Sequence, residues 1–426
     1  MHSLITFLFG CTLCAMLKAI GIDPVSDVFV FVLIVVFAIA FIEDVQRSQR
    51  FEKYSQALVL GFVFRVVLLL FDRYGRSIYH LPNSGADSEA FYNLAVAQAQ
   101  GHAIVKHGGF AGLFEIIFSI LGTNRLFGQF IVLLFSIVAL IIITATIDEF
   151  SIDDKQKIRA ISIIALLPNY AILSSIFLRE SIVSMFVTAS FYCFMQFYKR
   201  KSFLCFVLSY VSVVAGMVFH SGVAGLLIGY TFIILIHESG TDKNRLGILN
   251  IILASITVAI SLYLYVNYGE TFFTKFLKLN TISDVANTLS EGGSTYGQYV
   301  GNSDSFFNVF KYTIPRYVYF LFSPFPWQWR GISDIIAFCF SGLYYLWIIL
   351  LSIHYIMSGK SINRTLVINI MIIIICSVFA FAWGVSNTGT AVRHRDKLIT
   401  IFAAIHALCC DPSKGLHVTI GDWEII

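Results

Sequence analysis

Charged residues are scarce in this chain, and their scarcity excludes a large class of proteins. Asp, Glu, Lys and Arg together make up 13% of the 426 residues, whereas soluble globular domains carry about 25%. Half of the usual solubilising surface is missing, which argues against a soluble enzyme. A disordered chain is excluded as well, because 58% of the residues are hydrophobic and the mean hydropathy is +0.80.

Cysteine is too dispersed to build a disulfide framework or a metal centre. The eight cysteines lie almost entirely within apolar runs, and Cys11 and Cys14, although spaced as C-x-x-C, have no His or acidic residue beside them. We interpret them as small residues in helix packing and assign no metal ligand. The first apolar stretch lacks a basic leader and a small-residue cleavage site, so we expect a retained helix rather than a cleaved signal peptide.

Long apolar runs recur from one end of the chain to the other. Each is long enough to cross a hydrocarbon core about 30 Å thick. We predict an all-α, polytopic membrane protein that forms a single membrane domain over residues 1–426, with the lipid bilayer as a partner and no nucleic acid. The twelve predicted spans are 4–20, 26–43, 55–71, 127–147, 160–177, 180–197, 203–219, 221–237, 247–267, 333–357, 365–384 and 397–410.

The distribution of Lys and Arg predicts the orientation. Five short loops (44–54, 148–159, 198–202, 238–246 and 358–364) total 44 residues and hold 13 of these basic residues, whereas two long loops (72–126 and 268–332) total 120 residues and hold 9. Because basic residues resist translocation, we expect the short loops and both termini in the cytoplasm. The long loops are then extracytoplasmic, and a multi-pass protein of the bacterial inner membrane is the expected localisation.

Most of the remaining ionisable residues map to the outer loops or to the outer ends of spans. Convergence of distant parts of the chain on one face is the main functional clue in the sequence. The residues concerned are Asp87, Glu89, Arg179, Glu180, His220, Arg316, Arg330, Arg393, His394 and Arg395.

The first outer loop contains a turn signal at 83–85 and then a helical pattern. Phe91, Leu94, Ala95 and Ala99 recur at helical spacing, which predicts a helix along the membrane surface, and 108–118 predicts a second interfacial piece. Asp87 has two interpretations: the N-cap of the first helix, or a general base whose pKa is raised by partial desolvation. Glu89 fits a first-turn partner of the helix dipole.

Three other residues also carry two interpretations each. Arg179 and Glu180 fit an interface anchor and a dipole partner, or ligand-binding groups. His220 fits a polar cap of its turn, or a catalytic residue. Pro168 is expected to kink the fifth span near its outer end.

Arg65 lies about ten residues into the third span, roughly 15 Å deep. A charge at that depth costs at least about 2.5 kcal/mol unless it faces a partner or a water-filled cavity. We therefore expect Arg65 to face the protein interior, with an acidic partner or a bound anion.

The last outer loop carries Arg393-His394-Arg395-Asp396-Lys397. Three basic residues on the side that should be poor in them are better explained by an anion than by snorkelling anchors. Arginine binds phosphate through two parallel hydrogen bonds, and a lipid-linked phosphate or diphosphate would lie at this depth.

These residues give the chain a resemblance to a known superfamily. An acidic residue in the first large outer loop, followed by an aromatic-rich surface helix (Asp87 with Glu89, then Tyr92), resembles the GT-C polytopic glycosyltransferases. The segment 393–398 looks like the late basic outer motif of membrane polymerases for surface polysaccharides. The outer arginines are similar to those of O-antigen-polymerase-type enzymes: Arg179, Arg316, Arg330, Arg393 and Arg395.

The resemblance implies a GT-C-like fold and a polyprenyl (di)phosphate-linked sugar or oligosaccharide as donor, with a glycan acceptor. It implies that Arg393, Arg395 and Arg179 hold the phosphates, that Asp87 accepts the proton of the acceptor hydroxyl, and that the anomeric carbon is inverted. His220 and Arg65 would orient groups or tune pKa values. A divalent cation stays open as cofactor, and other polysaccharide-assembly membrane proteins stay open as partners.

Two other functions remain alternatives. A transporter or flippase for a lipid-linked sugar or a polysaccharide fits twelve spans. It predicts ionisable residues at mid-membrane depth and two similar halves, whereas only Arg65 is deep and no repeat is visible. A lipid acyltransferase requires an activating pair such as His-Asp, and His220 has no acidic neighbour in sequence.

Overall fold

The computed structural model of the protein describes most of the chain. The described residues are 1–21, 26–102, 108–237, 247–248, 250–259, 263, 266, 295–296, 306–358, 363–410, 418–420 and 423–425. The predicted loop 238–246 lies outside these residues, and the predicted span 247–267 and the loops 268–332 and 358–364 lie partly outside them.

Helices make up nearly all of the described secondary structure. The α-helices are α1 His2–Ala19, α2 Asp27–Arg47, α3 Ser55–Tyr74, α4 Ala86–Ala99, α5 Gly108–Leu121, α6 Arg125–Asp148, α7 Asp154–Leu166, α8 Pro168–Leu173, α9 Glu180–Arg200, α10 Phe203–Phe219, α11 Gly225–Ile236, α12 Asn250–Ala259, α13 Phe306–Phe322, α14 Ile332–Ala337, α15 Leu343–Met357, α16 Arg364–Trp383, α17 Thr388–Arg395 and α18 Ile399–Cys409.

Shorter elements complete the description. The 3-10 turns are Glu52–Tyr54, Ser221–Ala224, Pro326–Gln328 and Asp396–Leu398, and a π-helical turn, Phe338–Gly342, joins α14 to α15. Two strands, β1 Val418–Ile420 and β2 Trp423–Ile425, pair antiparallel with Val418 opposite Ile425.

Seven helices of the described part of the chain are long and apolar enough to cross a membrane: His2–Ala19, Asp27–Arg47, Glu52–Tyr74, Arg125–Asp148, Glu180–Arg200, Ile332–Met357 and Arg364–Trp383. They confirm the predicted helical class and are consistent with a multi-pass membrane protein. The other five predicted spans correspond to elements that are shorter, interrupted or partly described. Among them, 397–410 contains α18, which has 11 residues.

The helices differ in how deeply they lie in the molecule. Helices α6 and α9 are buried along most of their length and form the centre of the bundle. Helix α1, in contrast, is exposed along most of its length. Leu4, Phe9 and Met16 of α1 are among the exposed apolar side chains. Apolar exposure of this extent suits contact with lipid rather than with water.

The fifth predicted span is broken rather than kinked. Helix α7 ends at Leu166, Leu167 adopts an extended conformation (ψ 115°), and α8 begins at Pro168. A proline removes a backbone donor and pushes the preceding residue out of the helical region, which explains the break. The last carbonyl groups of α7 are left without intrahelical donors.

Arg65 of α3 binds to this break, which corrects the expectation of an acidic partner. Its Nη1 donates to the carbonyl oxygens of Ala165 (2.6 Å) and Gly61 (2.9 Å), and its Nε donates to Ser174 Oγ (2.9 Å). The guanidinium also lies 5.1 Å from the centre of the Tyr170 ring. The buried charge is therefore stabilised by backbone dipoles and by an aromatic face.

Helices α4 and α5 are both present where the sequence predicts surface helices. They pack against the connection before α9 through a group of rings around Phe177, whose centroid lies 4.6 Å from that of Phe114 and 5.6 Å from that of Tyr92. Phe110 and Phe118 complete the group. This aromatic packing fixes the position of α4, and with it the position of Asp87.

Candidate functional site

An ion pair between two distant parts of the chain marks the candidate site. Asp87 lies in the first turn of α4 and Arg393 lies in the last turn of α17, and Arg393 Nη1 is 2.6 Å from Asp87 Oδ2. The Asp87 side chain is 59% exposed, whereas that of Arg393 is 13% exposed. The capping interpretation of Asp87 is wrong, because Gly85 is the N-cap of α4 and no side chain caps that end.

Two histidines meet beside this pair. The Gly222 backbone N–H donates to His220 Nδ1 (3.1 Å), and His220 Nε2 lies 3.2 Å from His394 Nε2. Because Nδ1 of His220 accepts a hydrogen bond, the neutral ring carries its proton on Nε2 and donates it to His394. His220 is thus both the polar cap of its turn, as one interpretation predicted, and a partner of His394.

The tautomer of His220 fixes that of His394. With Nε2 accepting, the proton of His394 lies on Nδ1, which is buried without a hydrogen-bond partner in the described structure. Burial lowers the pKa of His394 well below its ordinary value, and Lys397, His220, Arg179 and Arg393 act in the same direction. His394 is therefore neutral at neutral pH.

A buried lysine and glutamate lie next to the histidines. Lys397 Nζ is 3.7 Å from Glu180 Oε1, and the two side chains are 0% and 5% exposed. Neither Lys397 Nζ nor Glu180 Oε2 has a hydrogen-bond partner among the described residues. The sequence identified the basic segment but not the role of Lys397, although its position one helical turn after Arg393 is a usable signal.

Arg179 connects these groups. Its Nη1 donates to the carbonyl oxygen of Phe219 (3.3 Å), the residue before His220, and its guanidinium lies 5.8 Å from the centre of the Phe91 ring. Burial lowers the pKa of Arg179 and Arg393 adds to this effect, while the negative charges of Glu180 and Asp87 oppose it.

Seven residues from four separate segments thus form one group, which we name the Asp87–Arg393 cluster: Asp87, Arg179, Glu180, His220, Arg393, His394 and Lys397. Six of them were predicted as site residues. When the Lys397–Glu180 pair is ionised and both histidines are neutral, the cluster carries one positive charge in excess. Its exposed edge is a carboxylate, and its buried part contains cations and unpaired N–H donors.

Glu89 belongs to a different network. It forms ion pairs with Arg76 and with Arg125, whose Nη1 lies 2.6 Å from Glu89 Oε2. Burial acts to raise the pKa of Glu89, but the hydrogen bond from Arg76 and the charge of Arg125 outweigh burial and lower it. Arg76 also binds Asp72 of α3 (3.1 Å). This network, which the sequence did not reveal, holds α4 against α3 and α6.

Arg395 does not join the cluster although it is two residues from Arg393. It is fully buried, and its guanidinium donates to Ser341 Oγ (2.8 Å) and to the carbonyl oxygens of Leu321 (2.9 Å) and Ala337 (3.0 Å). Ser341 lies in the π-helical turn, a type of irregularity that often occurs at functional sites. Arg395 therefore fixes α17 to α13 and α14 and leaves Arg393 facing Asp87.

The other predicted binding residues lie apart from the cluster. Arg316 is buried in α13 and lies 4.4 Å from the centre of the Trp383 ring. Arg330 is exposed, and its backbone N–H donates to Asp334 Oδ2 (2.9 Å). Arg65 lies in the bundle at the break between α7 and α8.

Anion binding suits the cluster better than metal binding. The described part of the chain has no group of three His, Cys, Asp or Glu residues that could hold a metal ion, and His220 presents a protonated Nε2 to its neighbour. Two surface hollows in the described structure, one beside Arg50 and Asp148 and one beside Lys18 and Gln100, lie away from the cluster. The chemistry of the cluster, rather than the size of these hollows, identifies the candidate site.

Comparison with known proteins identifies no similar protein. No family model, curated protein or solved structure matches this chain.

Proposed function

We propose that the protein is an integral membrane glycosyltransferase that uses a polyprenyl (di)phosphate-linked sugar or oligosaccharide to polymerise a surface polysaccharide. One observation carries the proposal: the Asp87–Arg393 cluster joins an exposed carboxylate to a buried group of cations and imidazoles. Glycosyl transfer from a lipid phosphate needs both kinds of group, because a hydroxyl loses a proton while a phosphate gains negative charge.

Each side chain has a defined task in this reaction. The acceptor oxygen forms a bond to the anomeric carbon as the bond from that carbon to the phosphate oxygen breaks. Asp87 accepts the proton of the acceptor hydroxyl, and Arg393 and Arg179 bind the phosphate that leaves. A single displacement of this kind inverts the anomeric carbon. Arg395 acts indirectly, by fixing the helix that carries Arg393.

The proposed orientation places the cluster beyond the outer leaflet, with both termini in the cytoplasm of a bacterial cell and twelve crossings in a GT-C-like arrangement. The bias of Lys and Arg toward the short loops supports this orientation. In this arrangement the seven long helices form seven of the crossings. The other five crossings are formed by the shorter, interrupted or partly described elements.

The transport alternative gains no support from Arg65. A transporter would use a deep charge to bind its substrate, but Nη1 and Nε of Arg65 already donate to Ala165, Gly61 and Ser174, which leaves only Nη2 without a hydrogen-bond partner in the described structure. We therefore prefer the enzyme.

The test is glycan length in cells that carry Asp87→Asn or Arg393→Ala. We expect both variants to lose long polymer and to accumulate lipid-linked repeat units, because one lacks the base and the other lacks the phosphate ligand. Arg330→Ala is the matched control, since it removes an exposed arginine outside the cluster, and it should leave polymer length unchanged. Normal polymer in both cluster variants, at normal protein levels in the membrane, would refute the assignment.

A further inference from the structure

The ion pair of the cluster has a chemical consequence for both of its members. Arg393 Nη1 donates to Asp87 Oδ2 at 2.6 Å. While this contact exists, the guanidinium competes with the hydroxyl of an acceptor for that carboxylate oxygen and stabilises the ionised form, which makes Asp87 a weaker base. The same contact occupies Nη1 of Arg393, one of the nitrogen atoms that would donate to a phosphoryl group.

The two partners differ in exposure. Asp87 is 59% exposed and Arg393 is 13% exposed, so the carboxylate can turn toward solvent, whereas the guanidinium is held by α17. Arg395 anchors that helix through carbonyl oxygens of two neighbouring helices. If the pair separates, Asp87 is therefore the member that moves.

The buried part of the cluster offers more to a phosphoryl group than to a carboxylate. Three buried nitrogen atoms of the cluster have no hydrogen-bond partner in the described structure: His394 Nδ1, Lys397 Nζ and Arg393 Nε. His394 and Lys397 are 5% and 0% exposed. A phosphoryl group has three acceptor oxygens and more charge than a carboxylate, and it forms two parallel hydrogen bonds with arginine. The ion pair is exposed on its Asp87 side, and losing a solvent-accessible pair changes an equilibrium constant by about two- to fivefold.

We propose that a phosphoryl group displaces Asp87 from Arg393, so that binding of the donor releases the carboxylate that activates the acceptor. The inference rests on the proposed function and adds an order of events to it: the phosphate binds first, and the base becomes available second. The group that the site recognises is a diphosphate, which either a lipid-linked glycan or free inorganic diphosphate can supply.

Binding to the purified full-length protein in detergent tests the displacement, with titration calorimetry at fixed salt concentration. The probes are inorganic diphosphate and farnesyl diphosphate, used in separate titrations to distinguish a free anion from a lipid headgroup. Because Asp87 competes with the probe, we expect Asp87→Asn and Asp87→Ser to bind about two- to fivefold more tightly than the natural protein. Asp87→Glu, which keeps a competing carboxylate, should bind as the natural protein does.

Two further variants separate the possible failures. Glu115→Gln removes one negative charge from the neighbouring α5, outside the cluster, and should leave the affinity unchanged. Arg393→Ala should weaken binding at least tenfold. If Arg393→Ala weakens binding but the Asp87 variants bind equally or less tightly, the displacement is refuted while the phosphate site stands. If neither probe binds the natural protein, or if Arg393→Ala has no effect, both the displacement and the proposed phosphate site are refuted.

Discussion

At the scale of single residues, the chemistry of the cluster depends on the His394 ring, which resists protonation in the folded protein. His394 is 5% exposed and is surrounded by Lys397, Arg179, Arg393 and the donor Nε2 of His220. All of these disfavour a second proton on its ring. The neutral ring is therefore part of the folded structure, and protonation opposes folding.

This predicts that stability is lost on acidification. The unfolded chain protonates His394 near pH 6.5, whereas the folded chain does so only at lower pH. The unfolded state thus binds more protons as the pH falls below about 6.5, and the melting temperature should fall with it. His394→Asn should show a shallower fall, and His102→Asn, which removes an exposed histidine, should follow the natural protein. Equal slopes for all three proteins would contradict a buried neutral His394.

The sequence predicted six of the seven cluster residues, because positive-inside counting places them at the same ends of their helices. Residue identity alone could not separate Arg393 from Arg395, since both belong to one basic segment. Their difference arises from the turn of α17, which directs Arg395 toward the carbonyl oxygens of Leu321 and Ala337. Glu89 lies in the first turn of α4, as predicted, but its ion pair with Arg125 was not, because Arg125 begins a helix 36 residues further along the chain.

At the scale of elements, the close contact between α3 and α7 positions Arg65 at the broken helix. A Cβ added at Gly61 would lie 2.9 Å from Ala165 Cβ and 3.1 Å from the Ala165 carbonyl oxygen. That oxygen accepts the hydrogen bond from Arg65. The absence of a side chain at Gly61 therefore allows the approach that stabilises the buried charge.

Gly61→Ala should separate the two helices and destabilise the protein by about 1–3 kcal/mol, the range for overpacking. A lower melting temperature in detergent would register the loss. Gly112→Ala in α5 is the matched control, because an added Cβ there meets nothing within 4 Å and alanine is the better helix former. It should leave the melting temperature unchanged or raise it. A neutral Gly61→Ala would show that the contact between α3 and α7 can widen without cost.

The sequence predicted the helical class at this scale but not the break at Leu167. Pro168 indicated an irregularity, yet a kink and a break give the same sequence pattern. Tertiary contacts decide between them here, since Arg65 and Tyr170 stabilise the open end of α7.

At the scale of the whole molecule, the charged ends of the bundle differ. One end holds the Asp87–Arg393 cluster, and the other holds ion pairs of Arg50 and Lys53 with Asp148. Basic residues near the second end are those that the positive-inside rule assigns to the cytoplasm. The two ends should therefore face different compartments.

Single cysteines placed in a background without the native cysteines test this orientation. Asp87→Cys and Arg330→Cys should react with a membrane-impermeant maleimide added to intact spheroplasts, whereas Arg47→Cys should react only after the membrane is permeabilised. All three positions are accessible, with Arg47 72% exposed. Reaction of Arg47→Cys in intact spheroplasts would reverse the orientation, and protection of Asp87→Cys there would remove the cluster from the outer side.

The guanidinium of Arg65 also constrains how the chain is made. Its acceptors Ala165 and Ser174 are synthesised about a hundred residues later, so during translation the third helix emerges with a charge that is costly to place in lipid. We therefore expect the third helix to enter the bilayer stably only when the later segment arrives, so that early and late segments insert together rather than independently.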